Sequence, residues 1–291
     1  MDFLKEFNQW LIEDGKSPKT IESYCNDVKQ FQLYLTEKAA DEQQPLSRFS
    51  FVRYKQHLLD HEYKTSTVNT IVNSLKVFND FLQLKGIVDG NYIQLRKDRV
   101  PIATGSEQVV EALTDAEVER VLAYIQDESK VSSRNRLIIH TLLYTAVRVS
   151  ELVHIKLADI DSLTSTLTVR GKGGKVREIG IRNDLMELIK SYQASERNDS
   201  KYNDSEYLFV SQRNKKMHRD AVRDWLAKIS NDIGIKLHPH LFRRTCATLL
   251  LRRGVPIVTV SKILGHHSVD MTSKMYIQTS RKDKQDALDL L

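Results

Sequence analysis

The residues His238-Pro239-His240-Leu241-Phe242-Arg243-Arg244 place two histidines and two arginines in seven positions, and no Asp or Glu occurs between Ile233 and Val269. Cations without carboxylates nearby in the chain suit an external anion. Pro239 fits the first turn of a helix, which puts His240 and Arg243, three apart, on one face. The free N–H groups and dipole of such a helix start also favour negative charge. The plainer alternative is a basic surface helix with a satisfied histidine.

Three further segments carry candidate groups. In "YTAVRVSELVHIKLADID" (144–161), Arg148 stands among Ala146, Val147, Val149 and Leu152. A guanidinium in that setting needs a partner, either Glu151 three residues on or phosphate oxygens gripped by its fork. Lys172 lies in "GKGGK" (171–175), which lacks the Ser or Thr and the following helix of a P-loop. It is either a solvated turn lysine or a proton donor that reaches a phosphate. In "LGHHSVDMTSKMYIQTS" (264–280), Gly265 ends a helix, His266 and His267 follow, and Tyr276 comes ten residues after His266. The tyrosine is either packing or a nucleophile. The adjacent histidines have no Cys/His/Asp cluster at ligand spacing, so no metal site is expected.

The elements that must hold these groups are mainly helical. Ile21, Tyr24, Val28, Phe31 and Leu35 keep a helical spacing, as do Val68, Ile71, Leu75, Phe78 and Leu82. Ser17 and Pro18 predict the start of the first of these helices, and Thr65 or Ser66 the cap of the second. Amphipathic stretches at 2–14 and 47–61 complete a four-helix unit over residues 1–94. The polar run 95–111 reads as a linker. Thr114 and Glu117 then form a capping box, with Leu113 and Val118 as its staple. Helices are predicted to about Leu157, from Asp184, and over 220–232, 239–253, 256–264 and 269–279. Between them "STLTVRGKGGKVREIGI" alternates as a β-hairpin. The fold class is therefore mainly α (α+β), with one small antiparallel sheet in the second unit, 112–280.

Residues 1–99 carry 14 Lys or Arg against 14 Asp or Glu, so the net charge of +6 comes entirely from the remainder. The excess gathers in 170–182 and 233–269, a distribution expected of a nucleic-acid binder. Cys25 and Cys246 form no disulfide framework, and no apolar run is long enough for a signal peptide or a membrane span. A cytoplasmic location without membrane contact is expected.

Taken in order, Arg148, Lys172, His240-x-x-Arg243, His266 and Tyr276 make the chain resemble the tyrosine recombinase (phage integrase) family. "VRVSEL", "RGKGGKVRE", "HPHLFRRTCATLLL" and "ILGHHSVDMTSKMY" carry the resemblance, which spans essentially the whole chain and is nearest in layout to Xer-type and transposon-resolvase members. Two departures stand out. Ala146 and Val147 replace the usual small residue and Gly, and Arg244 occupies a position where many relatives carry His.

The resemblance implies an N-terminal SAM-like DNA-binding domain and a C-terminal catalytic domain. It also implies site-specific cleavage and rejoining of DNA through a 3′-phosphotyrosine. Such a covalent intermediate keeps the bond energy for religation. Tyr276 is the implied nucleophile, with Arg148 and Arg243 neutralising the phosphorane-like transition state. Lys172 is implied to protonate the departing 5′-oxygen, His240 to assist proton transfer and His266 to hydrogen-bond the phosphate. No metal and no cofactor is expected.

Double-stranded DNA with a specific recombination site is the expected partner. Arg219 and Arg223 stand four apart on a helix that relatives place in the major groove. Lys175, Arg177 and Arg244 are candidates for backbone phosphates, against the alternative of a solvated face. Residues 281–291 read as a tail that docks on a neighbouring protomer, in a tetramer on two sites with a dimer at each. A second recombinase or accessory protein, and integration, dimer resolution or cointegrate resolution as the task, remain open. The lack of an arm-binding domain before residue 1 favours the resolution tasks over a lambda-like integrase. Type IB topoisomerase relaxation and a non-catalytic DNA-binding role are the alternatives.

Overall fold

The computed structural model describes residues 3–38, 44–101, 112–171, 174–266, 268, 269, 272 and 273. The chain divides into two compact units, Met1–Ser106 and Glu107–Leu291. Among the described residues, no helix is long and apolar enough to cross a membrane.

The first unit contains α1 (Phe3–Glu13), α2 (Pro18–Lys38), α3 (Arg48–Asp60) and α4 (Thr65–Leu84). The residues spaced for burial are buried: Val28, Phe31, Val68, Leu75, Phe78 and Leu82 lie in one core with Phe7 and Leu11 from α1. The ring of Phe7 stands edge-on to that of Phe78 at 5.2 Å, an arrangement the aromatic quadrupoles favour. Ser17 Oγ accepts from Thr20 N at 3.3 Å ahead of Pro18, as the sequence predicts. The cap expected of Thr65 or Ser66 is not formed: Lys64 is the N-cap residue of α4 and no side chain caps it.

Part of the expected linker belongs to this unit. A short helix α5 (Leu95–Asp98) is pinned through Asp98, whose buried carboxylate accepts from Arg48 Nη1 and from Gln94 N, both at 2.7 Å. The Asn69 amide clasps the main chain of Val100, donating to its carbonyl at 3.0 Å and accepting from its N–H at 2.8 Å. Buried polar side chains that bond the backbone fix such a segment without regular structure. Composition alone does not separate it from a linker.

The second unit begins with α6 (Asp115–Gln126) and the predicted capping box: Thr114 Oγ1 accepts from Glu117 N, and Glu117 Oε2 from Thr114 N. Then come α7 (Ser133–Thr145), α8 (Val149–Leu152), a 3-10 turn at Leu157–Asp159, β1 (Ile160–Asp161), β2 (Thr166–Arg170) and β3 (Val176–Gly180). α9 (Asn183–Ala194), α10 (Arg219–Ile233), α11 (Pro239–Arg252) and α12 (Ile257–Leu264) follow. The three strands form one antiparallel sheet in the order β1-β2-β3, with Val169 opposite Arg177. From Leu137 to Leu143 every residue of α7 is buried, so this stretch runs through the core of the unit. The irregular segment after α9 is held by Arg197, a buried guanidinium that donates to the carbonyls of Asn203, Ser205 and Tyr207.

One buried group in α7 is poorly served. His140 is 8% exposed, and neither ring nitrogen finds a hydrogen-bond partner among the described residues. Burial lowers its pKa, so the folded chain protonates this imidazole less readily than the unfolded chain does. The unfolded chain protonates it below about pH 6.5. It thus takes up more protons than the folded one as pH falls, and stability drops with it. Thermal unfolding at pH 8 and pH 5.5 should show this loss, and His140→Phe should flatten it. An equal loss in the variant would show that the folded chain protonates His140 freely.

Candidate active site

The site is built where two helices of the second unit end. α7 closes on Ala146 in the left-handed conformation, φ +53°, and α12 closes on Gly265 at φ +64°. Ends of this kind turn last-turn carbonyls outward, where their partial negative charge can meet a cation. Arg243, in the second turn of α11 and 5% exposed, meets both. Its Nη1 donates to Ala146 O and its Nη2 to Leu264 O, each at 2.5 Å. Two main-chain carbonyls thus take part in fixing the buried guanidinium.

Arg148 follows directly after α7 as the N-cap residue of α8. Of its two alternatives, the pairing with Glu151 is present. Nη1 donates to Glu151 Oε1 at 2.8 Å, while the side chain stays 35% exposed. Its Nε and Nη2 make no hydrogen bond among the described residues. Glu151 also accepts the Arg148 main-chain N–H through Oε2 at 2.8 Å. Burial alone would raise the Glu151 pKa, but the bonds from Arg177 and from the Arg148 backbone hold it below the usual carboxylate value.

Arg177, a candidate for a backbone phosphate, is engaged within its own unit. Its Nη1 and Nη2 donate to Glu151 Oε1 and Oε2 at 3.0 and 2.9 Å, its Nε donates to Ile263 O at 2.9 Å, and its side chain is 13% exposed. A Cβ on Gly265 would stand 3.0 Å from Arg177 Cδ, so that glycine serves both the left-handed turn and the close approach of this arginine. Nothing in the local sequence signals the pairing, because Glu151 is 26 residues away.

His240 is an exposed residue in the first turn of α11, behind the N-cap His238, whose Nδ1 accepts from Leu241 N at 3.2 Å. Desolvation by surrounding protein, then the charges of Arg243, His238, Arg244 and Arg148, lower its pKa. His266 follows Gly265, its Nδ1 sharing a hydrogen bond of 2.8 Å with the buried Thr272 hydroxyl. Burial first, then Arg243, Arg148 and Arg177, lower its pKa to about 4. The structure therefore brings Arg148, Arg243, His240 and His266 into one electrostatic neighbourhood, with both imidazoles neutral near pH 7.

A cleft of about 940 Å³ opens here, lined by Arg148, Glu151, Lys175, Arg177 and His266. Lys172 lies outside the described residues. Its neighbours Gly171 and Lys175, joined by a Gly171 N to Lys175 O bond of 2.7 Å, both line the cleft. Tyr276 and the tail 281–291 are also outside the described residues. Arg244 is half-buried on α11. On α10, Arg223 pairs with Asp220 at 2.9 Å and Arg219 lies 3.9 Å from the same carboxylate. Pairs as exposed as these are weak and leave the cations able to change partner. Among the described residues there is no group of three or more His, Cys, Asp or Glu placed to hold a metal ion.

The model of the phage integrase family matches residues 111–283, and that of the phage integrase N-terminal SAM-like domain matches 4–86. The chain belongs to the phage integrase family. Tyrosine recombinase XerA of Pyrococcus furiosus is 32% identical over 99% of this chain and 93% of its own length. TnP I resolvase of Bacillus thuringiensis is 27% identical, with both chains covered completely. The fold is shared with the XerH site-specific recombinase bound to a palindromic difH substrate in a post-cleavage complex. There the TM-score is 0.76 at 19% identity, over 92% of this chain and 79% of that one. For this integrase-family chain the SAM-like match falls on the four-helix unit, and the larger match contains every candidate catalytic position.

Glu151 is the acid on which this geometry turns. Replacing it with Ala leaves two partly buried guanidinium groups facing one another, and breaking a buried ion pair of this kind costs about 3 kcal/mol. The thermal midpoint of the second unit should fall by roughly 6–12 °C. Glu151→Gln, which keeps one acceptor oxygen, should fall between the two. Calorimetry showing an unchanged midpoint for Glu151→Ala would mean that the carboxylate does not hold the arginines.

Proposed function

We propose that the chain is a tyrosine site-specific DNA recombinase whose nucleophile is Tyr276. The observation that supports this reading is that Arg148 and His266 line one cleft, with Arg243 and His240 in the same electrostatic neighbourhood, and that its lining carboxylates among the described residues, Glu151 and Asp159, are each already engaged by cations or by the backbone. An anion entering there meets donors already in position, which is how transition-state charge is best stabilised.

In the forward step the Tyr276 Oη attacks the scissile phosphorus, its O–H proton passing to neutral His240. The P–Oη bond forms as the bond to the 5′-oxygen breaks, and Lys172 donates a proton to that oxygen. The product is a 3′-phosphotyrosine and a free 5′-hydroxyl. Rejoining reverses each transfer, with a 5′-hydroxyl of the partner strand as nucleophile and the phenol as leaving group. Arg148 and Arg243 neutralise the non-bridging oxygens, and neutral His266 donates a hydrogen bond to them. Cations supplied by the protein do the work that a metal does in other phosphoryl transfers.

The SAM-like unit and the second unit would each contact the duplex, with Arg219, Arg223, Lys175 and Arg244 of the second unit on phosphates or base edges. Two protomers at one site and four at two sites give the strand exchange its symmetry. The similarity to a tyrosine recombinase and to a protein named a resolvase supports a resolution reaction as the task.

The reading is tested by trapping on a nicked suicide duplex that carries the recombination site. Wild type should form a covalent protein–DNA band in EDTA, and Tyr276→Phe should form none. Arg148→Ala and Arg243→Ala should slow its formation by about 10²–10³-fold. Equal bands from Tyr276→Phe would remove the tyrosine mechanism. Bound DNA without any band, even with a second site added for synapsis, would favour a non-catalytic DNA-binding role.

A further inference from the structure

The position of Arg177 raises a question of supply and demand around one carboxylate. Glu151 Oε1 accepts from Arg148 Nη1 at 2.8 Å and from Arg177 Nη1 at 3.0 Å. Glu151 Oε2 accepts from the Arg148 main-chain N–H at 2.8 Å and from Arg177 Nη2 at 2.9 Å. A carboxylate offers about four lone-pair sites, so Glu151 is full. Arg148 obtains one of them through its side chain. Its Nη2 and Nε make no hydrogen bond among the described residues, and the side chain lines the cleft.

Without Arg177 the balance changes. Two acceptor sites on Glu151 would fall vacant beside an arginine that has donors to spare. A fork-to-fork pair, with both terminal nitrogens of Arg148 on both oxygens, is the stronger geometry for an isolated arginine and carboxylate. Arg148 would then close on Glu151, and the buried negative charge would be answered by the same guanidinium that must answer a phosphate. Arg177 cannot itself take Arg148's place, because its Nε is held by Ile263 O at 2.9 Å and its side chain is buried against Gly265.

We propose that Arg177 is a positioning residue that saturates Glu151 and so prevents this carboxylate from capturing Arg148, leaving half of the Arg148 fork for the scissile phosphate. The inference rests on the reading that Arg148 meets that phosphate. It assigns Arg177 no contact with DNA.

The test is a double-mutant cycle in the full-length chain with Arg177→Gln, Glu151→Gln and both together. It is read by single-turnover covalent-complex formation on the suicide duplex and by DNA affinity at several salt concentrations. Arg177→Gln should slow covalent-complex formation by about 10²-fold, the scale of losing one preorganised donor. Its DNA affinity and salt slope should stay at the wild-type values. Glu151→Gln added to Arg177→Gln removes the competing charge, so the double variant should regain at least about tenfold, a coupling well beyond additivity. Losses that simply multiply would overturn the proposal. So would a salt slope reduced by about one, the signature of a lost phosphate contact.

A crystal structure of Arg177→Gln gives an arm that needs no activity: Arg148 should be found with both terminal nitrogens on Glu151. Arg148 still holding one nitrogen in the cleft would sink the idea. If Arg177→Gln does not fold, Arg177→Lys serves in its place, since an ammonium cannot fill both oxygens as a fork does. A wild-type chain that binds DNA but never forms the covalent band counts against the recombinase reading, while the crystallographic arm still decides the role of Arg177.

Discussion

A carboxylate buried between two arginines sets the chemistry of this protein. Glu151 lies at the start of α8, directly after the turn that ends α7, and it draws together the N-cap residue of its own helix and a strand residue from β3. Burying such an ion is unfavourable unless its lone pairs are met and its charge is matched. Both conditions are satisfied here, by three guanidinium nitrogens and one main-chain N–H. The sheet, α8 and the end of α12 are thereby referred to a single point. Hence Arg148, the cleft wall and His266 keep a common frame.

The second determinant is the way Arg243 is held. Carbonyls at the ends of α7 and α12 hold the guanidinium through partial charges, and its positive charge acts on the surroundings. The two histidines register that field: His240 and His266 both have lowered pKa values, with Arg243 a named contributor to each. Desolvation is the larger cause in both. An arriving phosphate would oppose the arginine contribution and raise both pKa values, so the basicity of the site is coupled to its occupancy.

Much of this architecture was legible in the sequence because it rests on local rules. Helical spacing located α2 and α4, the Thr114–Glu117 box located α6, and alternation around the glycines located the hairpin. His240, Arg243 and His266 stood out in the sequence as well, through the missing carboxylates between Ile233 and Val269. What was not legible depends on distance along the chain. Arg177 reads as one more basic residue in a basic strand until it is found against Glu151 and Ile263. Residues 95–101 read as linker until Asp98 and Val100 are seen bonded to Arg48 and Asn69. Thr65 looked like a cap because hydroxyls often are, yet α4 begins one residue too early for it.

The contrast between the two arginine anchors bears on how such a sequence can drift. Arg177 depends on the identity of Glu151, so neither can change alone without harm. Two of the partners of Arg243 are main-chain oxygens, which every residue type supplies. Ala146 can therefore stand at a left-handed turn where the family resemblance leads one to expect a different pair of residues, and the carbonyl that Arg243 needs is still delivered. A site anchored in this way restricts the path of its backbone far more than the letters that spell it. Divergent members can retain one active geometry while sharing few of the residues that surround it.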